Sequence, residues 1–163
     1  MSAAERRAAL YGLLGDLPPR DRPVSGTLVE SRVMDGYRLD TLELDLNGME
    51  PVPAYLALPL NGKGPFPAVL YCHYHGGKYL VGKEEFIDPA YAPLNRPYAR
   101  ALTEKGYAAL CIDHWNFGAR SGRDELALFK ELIWRGKVLW GLMVYDSLKA
   151  LDYLCGREDI DGS

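Results

Sequence analysis

Leu42, Leu44 and Leu46 alternate strictly with Thr41, Glu43 and Asp45. A period of two puts one side of a strand in the core and the other in water. The alternation therefore predicts an antiparallel strand over 37–46, close to a sheet edge. Asp35-Gly36 is a two-residue turn signal that joins it to a preceding strand over 27–34. Asn47-Gly48 is a second such signal and leads into a third strand over 52–58. After the loop at 61–65 the pattern changes. Residues 68–72 (Ala-Val-Leu-Tyr-Cys) and 107–112 (Tyr-Ala-Ala-Leu-Cys-Ile) are continuous apolar runs, the pattern of strands covered on both faces.

Helical spacing appears in three places. A short stretch over 3–14 carries Ala8, Leu10, Leu13 and Leu14 and ends at Gly15 and Pro18-Pro19. Residues 97–105 begin with proline and are followed by Gly106, the usual punctuation of a helix. Residues 124–154 are helical again, with breaks expected at Gly136 and Gly141. Strand, helix and strand over 68–112 make a parallel crossover unit. The tail Asp159-Ile-Asp-Gly-Ser163 reads as a turn that leads into a further strand. The expected architecture is α/β: an antiparallel entry hairpin leading into a parallel sheet flanked by helices, one domain over 1–163.

Composition narrows the classes without naming a function. Hydrophobic residues make up 48% and charged residues 25% of 163 residues, which fits a globular domain and not a disordered chain. A formal net charge of −3 offers no basic stripe for nucleic acid. No apolar run approaches membrane-spanning length, and the N-terminus lacks the apolar core of a signal peptide. Cys72, Cys111 and Cys155 have no framework spacing and are expected as buried free thiols in a reducing compartment. The expectation is a cytoplasmic protein with no nucleic-acid or membrane partner.

Candidate chemistry lies at the carboxyl ends of the two apolar strands, where open α/β sheets gather ligands. The first end is His73-Tyr-His-Gly-Gly-Lys78 and the second is Asp113-His-Trp-Asn-Phe-Gly-Ala-Arg120. Adjacent glycines let a backbone N–H come close to a substrate oxygen. Such donors stabilise the oxyanion of acyl transfer, each contributing about 3–4 kcal/mol. His75, Gly76 and Gly77 stand where lipases and esterases place an HGGG-type loop of this kind.

Further motifs carry a family resemblance. Leu14-Gly-Asp-Leu-Pro-Pro19, Val52-Pro-Ala-Tyr-Leu-Ala-Leu-Pro59 and Pro67-Ala-Val-Leu-Tyr-Cys-His-Tyr-His-Gly-Gly77 are followed by Gly106-Tyr-Ala-Ala-Leu-Cys-Ile-Asp113. Phe117-Gly-Ala-Arg120, Ala150-Leu-Asp-Tyr-Leu154 and Asp159-Ile-Asp161 complete the series. In this order they resemble the dienelactone hydrolase and acetyl xylan esterase branch of the α/β-hydrolase superfamily, over nearly the whole chain. The resemblance implies a serine-type hydrolase of a small-molecule ester or acyl bond, with no metal or organic cofactor. It also implies that a strand ending in Gly-x-Ser-x-Gly should come next, with the acid and histidine later still.

No Gly-x-Ser-x-Gly occurs here. Gly118-Ala-Arg-Ser-Gly122 has its serine one place late and no strand before it. His73, His75 and His114 all precede the expected nucleophile, so none matches the catalytic histidine by chain order. The chain is thus expected to be the N-terminal part of one hydrolase domain, cut before the nucleophile elbow and inactive alone. Residues 68–72 would then be a sheet edge, open to the missing C-terminal half or to self-association.

Two other classes compete. His73 and His75 share one strand face, and with His114 and Asp113 they could hold a zinc ion with an open position. Alternatively the fold is a non-catalytic binding module with Tyr79, Trp115 and Phe117 facing a ligand. Asp113, Trp115, Phe117 and Arg120 are the candidate pocket wall. Arg120 and Arg123 could clamp a substrate carboxylate, although loop arginines are commonly solvated. Asp113 more simply holds its loop by accepting backbone N–H bonds. Trp134 and Trp140 are expected in core or lid packing.

Overall fold

In the computed structural model, which describes residues 1–74, 77–91 and 96–163, the alternating leucines sit on β2 (Tyr37–Asp45) and just beyond it. Leu42, Leu44 and Leu46 are buried, whereas Glu43 and Asp45 are exposed. β2 pairs antiparallel with β1 (Ser25–Met34) on one side and with β3 (Val52–Pro59) on the other. β1 is exposed along nearly its whole length, so it forms one edge of the sheet. Its register shifts between Leu28 and Glu30, a bulge of the kind that blunts an edge against further pairing.

The two apolar runs become β4 (Ala68–Tyr71) and β5 (Ala108–Ile112), paired in parallel. β5 lies between β3 and β4, giving the order β1-β2-β3-β5-β4. Every residue of β5 is buried, as its unbroken apolar sequence requires. β4 stands at the other end of the order and its four residues are only partly buried. Beside its start, Phe66 and Ile160 form a parallel bridge. Phe66 N–H donates to Asp159 O at 2.9 Å and Asp161 N–H to Phe66 O at 2.8 Å. The tail that reads as a turn is therefore already pairing alongside β4.

Helices cover both faces. α4 (Leu139–Cys155) lays Ala150 and Leu154 on Leu44, Leu56, Leu110 and Ile112. On the opposite face Ala99 of α2 (Tyr98–Thr103) and Phe86 pack on Leu39, Ala57 and Ala109. α1 (Ala3–Gly12) is held by a Ser2–Glu5 capping box and buries none of its residues. α3 (Glu125–Trp134) starts at Asp124, whose carboxylate accepts from Ala127 N–H.

The structure corrects several expectations. Gly136 does separate α3 from α4, at φ +73°, but Gly141 lies inside α4. It is there for space: a Cβ at Gly141 would stand 2.0 Å from Leu14 O. Of the cysteines, Cys111 is buried, but Cys72 and Cys155 are exposed. Trp134 and Trp140 are 92% and 67% exposed, so of the two roles expected for them, core and lid packing, the core one is excluded. Residues 82–86 form a largely buried 3₁₀ turn that sequence pattern did not predict. Among the described residues no helix is long and apolar enough to cross a membrane.

Candidate active site

β4 and β5 run in parallel and so deliver His73 and His114 to the same end of the sheet. Their rings are 5.0 Å apart, and His114 N–H donates to His73 Nε2 at 3.2 Å. Phe117 packs edge-on to His73 at 5.2 Å and stacks on Tyr79, also at 5.2 Å. These four residues form one wall of a groove of about 640 Å3. Its remaining walls are largely apolar: Phe129 of α3, Leu139, Trp140, Met143, Leu148 and Leu151 of α4, and Cys72. Burial, assisted by the neighbouring His73 and Arg120, lowers the His114 pKa from 6.5 to about 4. At neutral pH its imidazole is uncharged.

Asp113 faces away from the groove. It is fully buried, and its carboxylate accepts from Lys83 N–H at 2.7 Å, Lys83 Nζ at 3.0 Å and Ala119 N–H at 3.0 Å. Gly82 and Gly118, both at positive φ, leave room for it: a Cβ on either would lie 2.2 Å from Asp113 Oδ1. Asp113 thus ties the 82–86 turn to the loop after β5, the loop-holding role its position suggests.

Arg120 also points inward. Its side chain is 3% exposed and pairs with Glu50 at 2.6 Å and Asp146 at 2.9 Å. Arg120 Nη1 also donates to Asp113 O, and the guanidinium lies 4.5 Å from the Trp115 ring centre. Solvation does not describe this arginine. In this geometry it braces the loop, and its clamp is closed on the protein's own carboxylates. Trp115 belongs to the same interior cluster, with Leu128, Leu132 and Leu142. Arg123, by contrast, is exposed and pairs with Glu131 on α3.

Of the glycine loop, His75 and Gly76 lie outside the described residues. Gly77 is described: it is exposed, has φ +80°, and nothing lies within 4 Å of where a Cβ would point. His73 and Tyr79, before and after the glycines in the chain, both line the groove. Asn116, in the facing loop, holds φ +65° without being glycine, the kind of strain that collects at functional loops.

Among the described residues no three His, Cys, Asp or Glu side chains gather as metal ligands. Asp113 is unsuited to the zinc set that includes His73, His75 and His114, because its carboxylate is occupied by Lys83 and Ala119. Sequence reasoning missed the inward-facing Lys83 and Glu85, since a Lys-Glu-Glu run reads as a solvated loop. It also missed Asn47, whose buried amide donates to Asp146 at 2.8 Å.

No protein-family model matches the chain. It is 48% identical over 157 residues to "Putative hydrolase YtaP" of Bacillus subtilis (strain 168), covering 96% of this chain and 52% of that one. A solved structure described as a putative acetyl xylan esterase of Bacteroides fragilis superposes with a TM-score of 0.75. Its identity is 19%, covering 96% of this chain and 43% of that one. The acetyl xylan esterase of Paenibacillus sp. R4 superposes at 0.59 with 16% identity, covering 96% and 46% respectively. The chain spans about half the length of these relatives. The order and pairing of its strands, the helices on both faces and these likenesses give one answer: the chain has the α/β-hydrolase fold and resembles the acetyl xylan esterases within it.

Proposed function

We propose that the chain contributes the oxyanion-binding side of a serine-type hydrolase that cleaves a small-molecule ester. The observation that carries this reading is the position of the glycine pair. The pair follows β4 in the chain, between His73 and Tyr79, which both line that groove, and Gly77 is exposed at positive φ. His75, Gly76 and Gly77 are the proposed donors' loop, with Phe117 as a wall for the acyl or alcohol group. The hydrolase relative at 48% identity supports the reaction class. The acetyl xylan esterase neighbours support an ester as the bond broken. Neither a metal nor an organic cofactor enters the proposal, and its location is cytoplasmic.

The nucleophile belongs, on this reading, to a strand that follows Ser163 and adds in parallel to β4. The Phe66–Ile160 bridge supports that placement, because it begins a parallel ladder on the side of β4 away from β5. The 163-residue chain alone is then inactive, and its β4 edge takes either that strand or another copy of the chain.

The test is active-site labelling of the protein extended past Ser163 to its relatives' length. A fluorophosphonate should modify one serine stoichiometrically, within about 15 residues of Ser163 given usual strand lengths, and abolish turnover of an activated acetyl ester. Turnover that resists the fluorophosphonate and is lost to a chelator would replace this reading with the histidine–metal one.

A further inference from the structure

The 3₁₀ turn Gly82–Phe86 carries three consecutive charged residues, and each bonds to a different strand or strand end. Lys83 Nζ reaches Asp113 at the end of β5, at 3.0 Å. Glu84 accepts from the Tyr55 hydroxyl of β3 at 2.7 Å. Glu85 turns to β4, where one carboxylate oxygen accepts from both the Tyr71 hydroxyl and Tyr74 N–H, the latter at 3.0 Å. Glu85 is 4% exposed. A charged carboxylate is costly to bury unless its hydrogen bonds are made, so its position demands those two donors. The Tyr71 hydroxyl is correspondingly held protonated, its pKa raised by burial and by the hydrogen bond to Glu85.

We propose that Glu85 is a positioning residue for the oxyanion-binding loop. Tyr74 lies between the end of β4 and the glycines, and Glu85 fixes its amide. At the far end of the loop, Val81 N–H donates to Lys78 O at 3.1 Å, and Lys78 Nζ lies 5.0 Å from the Tyr91 ring centre. The turn at 82–86 is itself anchored through Asp113. A rigid brace therefore stands behind a loop whose glycines have no side chains to fix them. Donors that act on a transition state must be held in place before the reaction, and Glu85 supplies that constraint without touching substrate. The inference rests on the ester-hydrolase reading for the loop's purpose, but not for the contact itself.

Hydrogen–deuterium exchange resolved at Tyr74 reads the contact in the present chain. Glu85→Ala should speed exchange there by at least about tenfold, while Glu85→Gln, which keeps an acceptor oxygen, should stay near wild type. Glu85→Asp keeps the charge but withdraws it, and should also speed exchange if the alanine variant fails to fold. Glu84→Gln, which alters the contacts to Tyr55 and Lys83 but not the Glu85 carboxylate, should leave Tyr74 unchanged. In the protein extended past Ser163, Glu85→Ala should lower kcat on an activated acetyl ester by about 100-fold with KM nearly constant. Glu85→Gln should restore most of that loss. Unchanged exchange at Tyr74 in the alanine and aspartate variants, or an unchanged kcat with Tyr74 released, overturns the proposal. An extended wild-type protein that hydrolyses no ester would sink the hydrolase reading instead, with the Tyr74 exchange still deciding what Glu85 holds.

Discussion

Arg120 and Asp146 form an ion pair 2.9 Å long in which the two side chains are 3% and 0% exposed. The pair joins the loop after β5 to the middle of α4, and Asn47 donates to the other oxygen of Asp146. Burial raises the Asp146 pKa, while Arg120 and the Asn47 amide pull it down. Replacing Arg120 with methionine fills similar volume but leaves the buried Asp146, and Glu50, without their cationic partner. The expected loss is about 3–5 kcal/mol, measured by urea unfolding. Asp146→Asn in the same background should recover part of it, because the neutral amide needs no counter-charge.

Gly141 separates two effects of opposite sign. Alanine is favoured over glycine in a helix interior by about 1 kcal/mol, so propensity alone predicts that Gly141→Ala stabilises. A Cβ there would meet the backbone oxygen of Leu14 at 2.0 Å, and backbone cannot rotate aside. Overpacking of this kind costs about 1–3 kcal/mol, and the contact here is severe. Thermal unfolding should show a lower Tm for Gly141→Ala, and a higher one would mean that Leu14 does not lie against α4.

His114 gives the chain a pH dependence with a defined sign. Its folded pKa, about 4, lies below the ordinary 6.5. The resulting stability is therefore complete above pH 6.5 and is lost as pH falls towards 4. Asp152, lowered to about 2 by Arg20, acts in the same direction but only at lower pH. Unfolding free energies from urea titrations at pH 7.5 and pH 5 should differ by about 2 kcal/mol from His114 alone. His114→Phe should flatten the slope in that window.

Sequence pattern located the strands well because their chemistry is local. The 42–46 alternation and the apolar runs of β4 and β5 each declare their own burial. The parallel pairing of β4 with β5 followed from the helix between them. Contacts between distant residues left no such trace. Gly141 reads as a helix break until Leu14 is seen against it, and Arg120 reads as solvated until Glu50 and Asp146 close around it. Trp134 shows the converse, since a large aromatic on a helix suggests the core, yet it stands 92% exposed. At the candidate site the two strand ends were legible in the sequence. The brace at Lys83 and Glu85 was not, because charged residues declare a buried role only through partners elsewhere in the chain.

The proposed oxyanion binder is the backbone after β4, and Gly77 is where substitution tests it. Its φ of +80° suits glycine and strains any β-branched residue. Steady-state kinetics of Gly77→Val should be measured on the protein extended past Ser163, with circular dichroism confirming that it folds. The expected result is a fall in kcat of about 100-fold with KM little changed, because the displaced N–H no longer meets the transition state. An unchanged kcat would contradict it and place the oxyanion site elsewhere in the fold.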